Sequence, residues 1–225
     1  MLTNKFKINY SIGAVANGIK TDTFTFFLLF FYSNIIGLNP ALAGSAIFIA
    51  LCVDAVTDPL MGTISDRTNS SYGRRHPFMM ISFIPMSLGY IFLFAPRQDW
   101  DMSQSDLFIW MTIFTVITRI GMTLFDIPHR AFGGEITKNY KERTILMSWR
   151  EMFGWVAGLS NAFLGYGIFF TSTSEYPQGQ LNPDAWFPFA VTGAIFMIIS
   201  VLYSSLSTKG EIKSLSKWSG SISLS

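Results

Sequence analysis

The feature that most constrains this chain is a series of six apolar stretches, at residues 8–36, 40–65, 77–95, 105–131, 146–171 and 186–206. Each is long enough to cross ~30 Å of hydrocarbon, the longer ones with tilt. A helix satisfies its own backbone hydrogen bonds in lipid, so helix is the expected form throughout. Membrane strands would alternate apolar and polar residues in blocks of about ten, and the run FTFFLLFF at 24–31 does not alternate. Composition agrees: 13% of residues are charged, against about 25% in soluble domains. A net charge of +2 with no clustered basic excess excludes a nucleic-acid partner. The single cysteine, Cys52, excludes a disulfide framework and a multi-cysteine metal centre. The fold class is therefore an all-α membrane protein with six transmembrane helices.

The loops set the orientation, because cytoplasmic loops are enriched in Lys and Arg. Lys5 and Lys7, then Arg67, Arg74 and Arg75, then Lys138, Lys141 and Arg143, then Lys209, Lys213 and Lys217 fall on one side. The opposite loops, 36–40, 96–104 and 172–185, carry only Arg97. The strict alternation predicts both termini in the cytoplasm and a multi-pass protein of the cytoplasmic (inner) membrane. The amino terminus does not read as a cleaved signal peptide, since Lys20 and Asp22 interrupt its apolar run. Residues 1–207 form the expected transmembrane unit, and 208–225, with six Ser in the last twelve positions, a flexible cytoplasmic tail.

Charges inside the spans are costly, about 2.5–3.5 kcal/mol each at mid-membrane, so they pair or line a wet cavity. The densest group is DAVTDP, residues 54–59. Asp54 and Asp58 are four apart and share a helix face. Thr57 adds a hydroxyl on the same turn, and Pro59 leaves the carbonyl of Ala55 without its helical donor. Hard oxygens of this kind suit Na⁺, Li⁺ or H⁺; the competing reading is that both aspartates only pair with Arg119 or Arg150 to hold helices together. In TLFDIPHR, residues 123–130, Thr123, Asp126 and Arg130 fall on one stripe. With Arg150 on the next span, a carboxylate and guanidinium groups could hold sugar hydroxyls; the competing reading is an Asp126–Arg150 salt bridge. His129 offers a ring that titrates near neutrality, although such a residue more often caps or packs. Lys20 and Asp22, two apart, point to different faces, with Asp22 the expected cavity-lining member. The basic loop GTISDRTNSSYGRR, residues 62–75, reads either as membrane anchoring or as a gate in which Asp66 and the arginines form breakable pairs. Tyr32, Trp100, Trp110, Trp155 and Trp186 fall near helix ends and mostly read as an interfacial aromatic belt. The phenylalanines of 24–31 are expected against lipid or neighbouring helices.

Three segments, 54–77, 125–137 and 141–158, resemble the glycoside–pentoside–hexuronide:cation symporters, the melibiose permease group of the major facilitator superfamily. The resemblance implies a cation site at Asp54, Thr57, Asp58 and Thr123, with Asp54 and Asp58 ligating the metal if the ion is Na⁺. It implies substrate binding at Asp126 and Arg150; Asp22 and Arg130 are expected alongside them, and Asp66, Arg67, Gly73, Arg74 and Arg75 as the gate. The melibiose permease has Asn at the position of Thr57, a carboxylate at that of Gly18 and a Trp at that of Arg130. The added Arg130 favours an anionic sugar such as a hexuronide. The family has two six-helix halves that rock about a central site, so the chain reads as the N-terminal half of a symporter for a sugar or glycoside and a monovalent cation, with no cofactor. Its implied partners are the bilayer and a second, C-terminal six-helix half. A non-transporting membrane module is the rival reading. An intramembrane aspartyl enzyme using Asp54 and Asp126 has no further support in the sequence.

Overall fold

A computed structural model describes residues 2–68, 70 and 72–214, with the side chains of 212–214 not described. Among the described residues the secondary structure is helical, without strands. The first apolar stretch is assembled from pieces: α1 (Asn4–Ser11), α2 (Ala14–Asp22), a π-helical turn at Thr23–Phe27, α3 (Leu28–Phe30) and a second π-helical turn at Phe31–Ile36. After it come α4 (Pro40–Arg67), α5 (His76–Ile81), α6 (Phe83–Leu93), α7 (Gln104–Glu135), α8 (Tyr140–Leu164) and α9 (Trp186–Ser207).

Five helical stretches, Pro40–Arg67, His76–Leu93, Gln104–Glu135, Tyr140–Phe169 and Pro183–Glu211, are long and apolar enough to cross a membrane. The chain is thus a multi-pass membrane protein. The expected sixth span, at 8–36, is the interrupted stretch. Its break at residues 12–13 lies at a close approach: a Cβ on Gly13 would stand 2.7–2.9 Å from Phe125, Ser204 and His129.

Local chemistry sets the helix ends. Gly37, at φ 83°, turns the chain out of the first stretch. The Asn39 side chain then accepts from the Ala41 N–H at 2.8 Å, with Pro40 at the first helical position of α4. Ser103 and Asp106 form a reciprocal capping box on α7, and Asn139 caps α8 through the Glu142 N–H. α4 runs unbroken through Pro59 and α7 through Pro128.

The helices form a bundle in which α7 packs on both α4 and α6, α2 packs on α8, and α9 packs on α2 and α6. α2 and α8 meet backbone to backbone: a Cβ on Gly18 would run into the Gly154 carbonyl, and one on Gly158 would stand 3.2 Å from the Gly18 carbonyl oxygen. This is the close approach that small residues permit between membrane helices. Trp186 is fully buried amid Phe27, Phe30, Phe31, Phe94 and Phe170, at ring-centroid distances of 4.6–6.1 Å. Lipid is as apolar as these rings, so dispersion and shape hold this cluster rather than exclusion of water.

Trp186 and Tyr32 correct the belt reading. Both are fully buried, because Trp186 donates to the Gln180 carbonyl at 3.0 Å and Tyr32 to the Leu93 carbonyl at 2.8 Å. Trp155 is exposed, and Trp100 stands edge-on to Trp110. Of the expected Ser-rich tail, Thr208 is buried and Lys209–Ser214 form a 3₁₀ turn, while 215–225 lie outside the described residues.

Candidate functional site

Two polar clusters sit inside the bundle. The first joins α4 to α7. Asp54 and Asp58 lie one turn apart on α4, and Arg119 and Thr123 lie one turn apart on α7. One oxygen of Asp54 accepts from the Arg119 Nη1, and Asp58 Oδ1 accepts from the Thr123 hydroxyl at 2.6 Å. Among the described residues Asp58 makes no ion pair. The other Asp54 oxygen, the Thr57 hydroxyl and Arg119 Nε are buried without a hydrogen-bond partner. Buried polar atoms are normally satisfied, so these two oxygens are free to accept a hydrogen bond or to ligate a cation. The structure thus brings Asp58 and Thr123 together with Asp54 and Thr57 as their near neighbours. It also assigns Asp54 to Arg119, one arm of the helix-pairing alternative. The Arg119 guanidinium also lies 5.4 Å from the Phe24 ring centroid. Among the described residues no group of three or more His, Cys, Asp or Glu side chains could hold a metal ion. Any cation here would rely on hydroxyls as well as carboxylates.

The second cluster joins α7 to α8 and closes on itself. Asp126 accepts from Arg150 Nη2 through one oxygen and from Arg130 Nε, at 2.6 Å, through the other. Glu151 Oε1 accepts from Arg150 Nη1 at 2.7 Å and from Arg130 Nη1 at 3.2 Å. Two cations and two anions thus form a square in which each arginine touches each acid. Its inner corner is dry and its outer corner wet: the side chains of Arg150 and Asp126 are 1% and 16% exposed, those of Arg130 and Glu151 45% and 50%. The expected Asp126, Arg130 and Arg150 are therefore together, and Glu151 completes them. The alternative Asp126–Arg150 bridge is present as one side of this square.

Asp22 is elsewhere. It is buried on α2 and accepts from Asn161 Nδ2 at 3.2 Å. Asn161 also reaches the Thr23 hydroxyl at 3.2 Å, which in turn bonds to Tyr90 at 2.7 Å. The Gly18–Gly154 contact explains why no side chain stands at position 18. Lys20 makes no hydrogen bond or ion pair among the described residues, yet its charge lies within electrostatic reach of Arg119, Asp126, Asp54 and Asp58.

The basic loop forms a third group. Arg75 donates to Asp66 at 2.8 Å and to Glu135 at 2.7 Å, and Arg74 donates to Glu135 at 3.2 Å. Burial lowers the Arg75 pKa from the usual guanidinium value, and Glu135 and Asp66 oppose that shift. Gly73 turns the loop at φ 82°, and Arg67 ends α4. Sequence reasoning missed Glu135, the acid that closes this group from α7; a basic triplet that needs anions was the available signal.

A helical, multi-pass membrane bundle with charged groups gathered between its helices is the class that this fold and site define. The family model for MFS/sugar transport proteins matches residues 9–220, and the chain belongs to that family. It is 32% identical over 203 residues to an uncharacterized symporter of Synechocystis, covering 89% of this chain and 36% of the relative. It is 30% identical to a putative glycoside/cation symporter of Escherichia coli, covering 78% of this chain and 44% of the relative. It is 31% identical to a sodium-dependent lysophosphatidylcholine symporter of Danio rerio, covering 70% and 30% respectively. The chain spans between about a third and under a half of the length of these relatives.

Proposed function

We propose that this chain is the N-terminal half of a secondary symporter that couples a monovalent cation, Na⁺ or H⁺, to movement of a sugar or glycoside by alternating access. The observation that carries this reading is the α4–α7 cluster: a carboxylate bonded to a hydroxyl, Asp58 to Thr123, beside the orphan oxygens of Asp54 and Thr57. Relatives named as symporters support the coupling, one named for glycosides and one for sodium. In this reading Asp54, Thr57, Asp58 and Thr123 bind the ion. Asp126, Arg130 and Arg150 bind the substrate, with Asp22 near the path. Asp66, Arg67, Gly73, Arg74 and Arg75, with Glu135, form a reversible latch on the cytoplasmic side. The six-span count, cytoplasmic termini and inner-membrane location rest on the loop charges.

The partner is a second six-helix half. Burial is lopsided: 17% of the most apolar window is buried in Pro40–Arg67 and in Tyr140–Phe169, against 50% in Pro183–Glu211. α4 and α8, which carry the two clusters, thus keep an open face that includes Val56, Leu60, Trp155 and Leu159. A second half seated there would place the substrate between halves. The test is calorimetric titration of Na⁺ into the purified chain in detergent at several pH values. Saturable heat that vanishes in Asp58→Asn is expected. A folded wild-type chain giving no heat at any pH overturns Na⁺ as the ion bound here, and an unchanged Asp58→Asn overturns the assignment of the ion site to these residues.

A further inference from the structure

His129 lies at the meeting point of four helices, and both its ring nitrogens are engaged. Arg150 Nε on α8 donates to His129 Nδ1 at 3.3 Å. His129 Nε2 stands 3.1 Å from the Tyr10 carbonyl oxygen of α1 and 3.3 Å from the Ser204 hydroxyl of α9. The ring is clamped flat: Tyr10 stacks on it at 4.1 Å and an interplanar angle of 7°, and Phe125 at 4.8 Å. The Tyr10 hydroxyl reaches around to the carbonyl of His129 itself at 3.0 Å. His129, Tyr10 and Ser204 are each 0% exposed.

These contacts fix the proton. An arginine is always a donor, so Nδ1 must be bare and accepting. The hydrogen then belongs to Nε2, facing the Tyr10 carbonyl, which can only accept. An imidazolium would set an N–H against the Arg150 N–H, and the opposite tautomer would leave a carbonyl facing a bare nitrogen. A proton carrier needs a nitrogen open to the path, and neither is open.

The Arg150 guanidinium gains its orientation from this. Its terminal nitrogens go to Asp126 and Glu151, and its Nε goes to the one partner that is uncharged. The carboxylates can swing, and Glu151 is half exposed. The imidazole, stacked between two rings, cannot. We propose that His129, held as the neutral Nε2–H tautomer, is the positioning residue for Arg150: its Nδ1 fixes the roll of the guanidinium plane, so that one N–H on each terminal nitrogen remains available when a ligand arrives. This rests on the reading of Arg150 as a substrate-binding residue.

The chain contains two histidines, so nitrogen-15 histidine labelling of the full chain in detergent gives two pairs of ring-nitrogen signals, told apart by His76→Gln. The Nε2–H tautomer is expected for His129 at neutral pH; the Nδ1–H tautomer or an imidazolium overturns the proposal. The second readout is solvent exchange of the Arg150 Nε–H. His129→Phe keeps the ring stack but removes the acceptor, and Ser204 still donates to the Tyr10 carbonyl at 3.1 Å. Exchange should accelerate by about tenfold or more, with helicity unchanged. Unaltered exchange in a folded His129→Phe chain overturns the proposal. Should that variant fail to fold, the wild-type tautomer decides alone. Neither readout involves an ion, so the proposal and the Na⁺ site stand or fall separately.

Discussion

The two charged clusters differ in how far they are satisfied. The Asp126–Arg130–Arg150–Glu151 square is closed: each acid has two arginine partners and each arginine two acids. The Asp54–Thr57–Asp58–Thr123 cluster is open, with two buried oxygens unpartnered. Closed networks rigidify and hold helices, whereas an orphan buried oxygen is a standing cost that a ligand can remove. Within one bundle polar side chains are thus arranged in two ways, one as a closed clamp between α7 and α8 and one, in the proposed reading, as the seat of the ion.

The largest effect should come from opening the clamp at its dry corner. Arg150→Met leaves Asp126 with Arg130 alone and removes the cation that is almost fully buried. Loss of about 3 kcal/mol or more is expected, read as a fall in the melting temperature of the chain in detergent. A variant as stable as wild type would mean that Arg130 suffices and the square is not a clamp. Next, Gly18→Ala drives a methyl group into the Gly154 carbonyl. It should cost about 1–3 kcal/mol by overpacking, again read by thermal unfolding, and an unchanged midpoint would show that α2 and α8 part easily. Thr57→Val then separates seat from clamp. Removing an unsatisfied hydroxyl should leave stability unchanged or slightly raised, while Na⁺ affinity falls by about tenfold, the worth of one oxygen ligand; calorimetry and melting together decide it. The smallest effect belongs to Arg74→Ala at the wet rim of the loop, where an exposed pair is worth about 0–1 kcal/mol and fades with salt. Melting at low and high ionic strength reads that loss, and a salt-independent loss would show the Arg74–Glu135 pair to be screened from water.

Much of the fold was legible in sequence because periodicity and charge are local. The five long spans follow from apolar runs, although the capped first turns of α8, from Tyr140, are too polar to show as part of one. Asp54 and Asp58 share a face because a helix repeats every 3.6 residues. The interruptions of the first stretch were not legible, since each π-helical turn adds a residue and rotates the rest of the helix about its axis. The reach of Thr123 to Asp58 spans 65 positions and depends on how α4 docks on α7. The roles of Glu151 and Glu135 were hidden because both look like ordinary charges at the ends or edges of spans. The packing of α2 on α8 did have a signature: Ala14 and Gly18, like Gly154 and Gly158, stand four apart, the spacing of small residues at close helix crossings.

That crossing has one more consequence. Where Gly18 meets Gly154 and Gly158, main chain touches main chain with no side chain between. Rotamers elsewhere in the bundle can hop and let helices drift by fractions of an ångström, but here there is none to hop. The separation of α2 from α8 is set by atomic radii alone, like a gauge block between two rails. Arg150 hangs from α8 one turn before that block, so its place relative to the first helical stretch is machined rather than tuned.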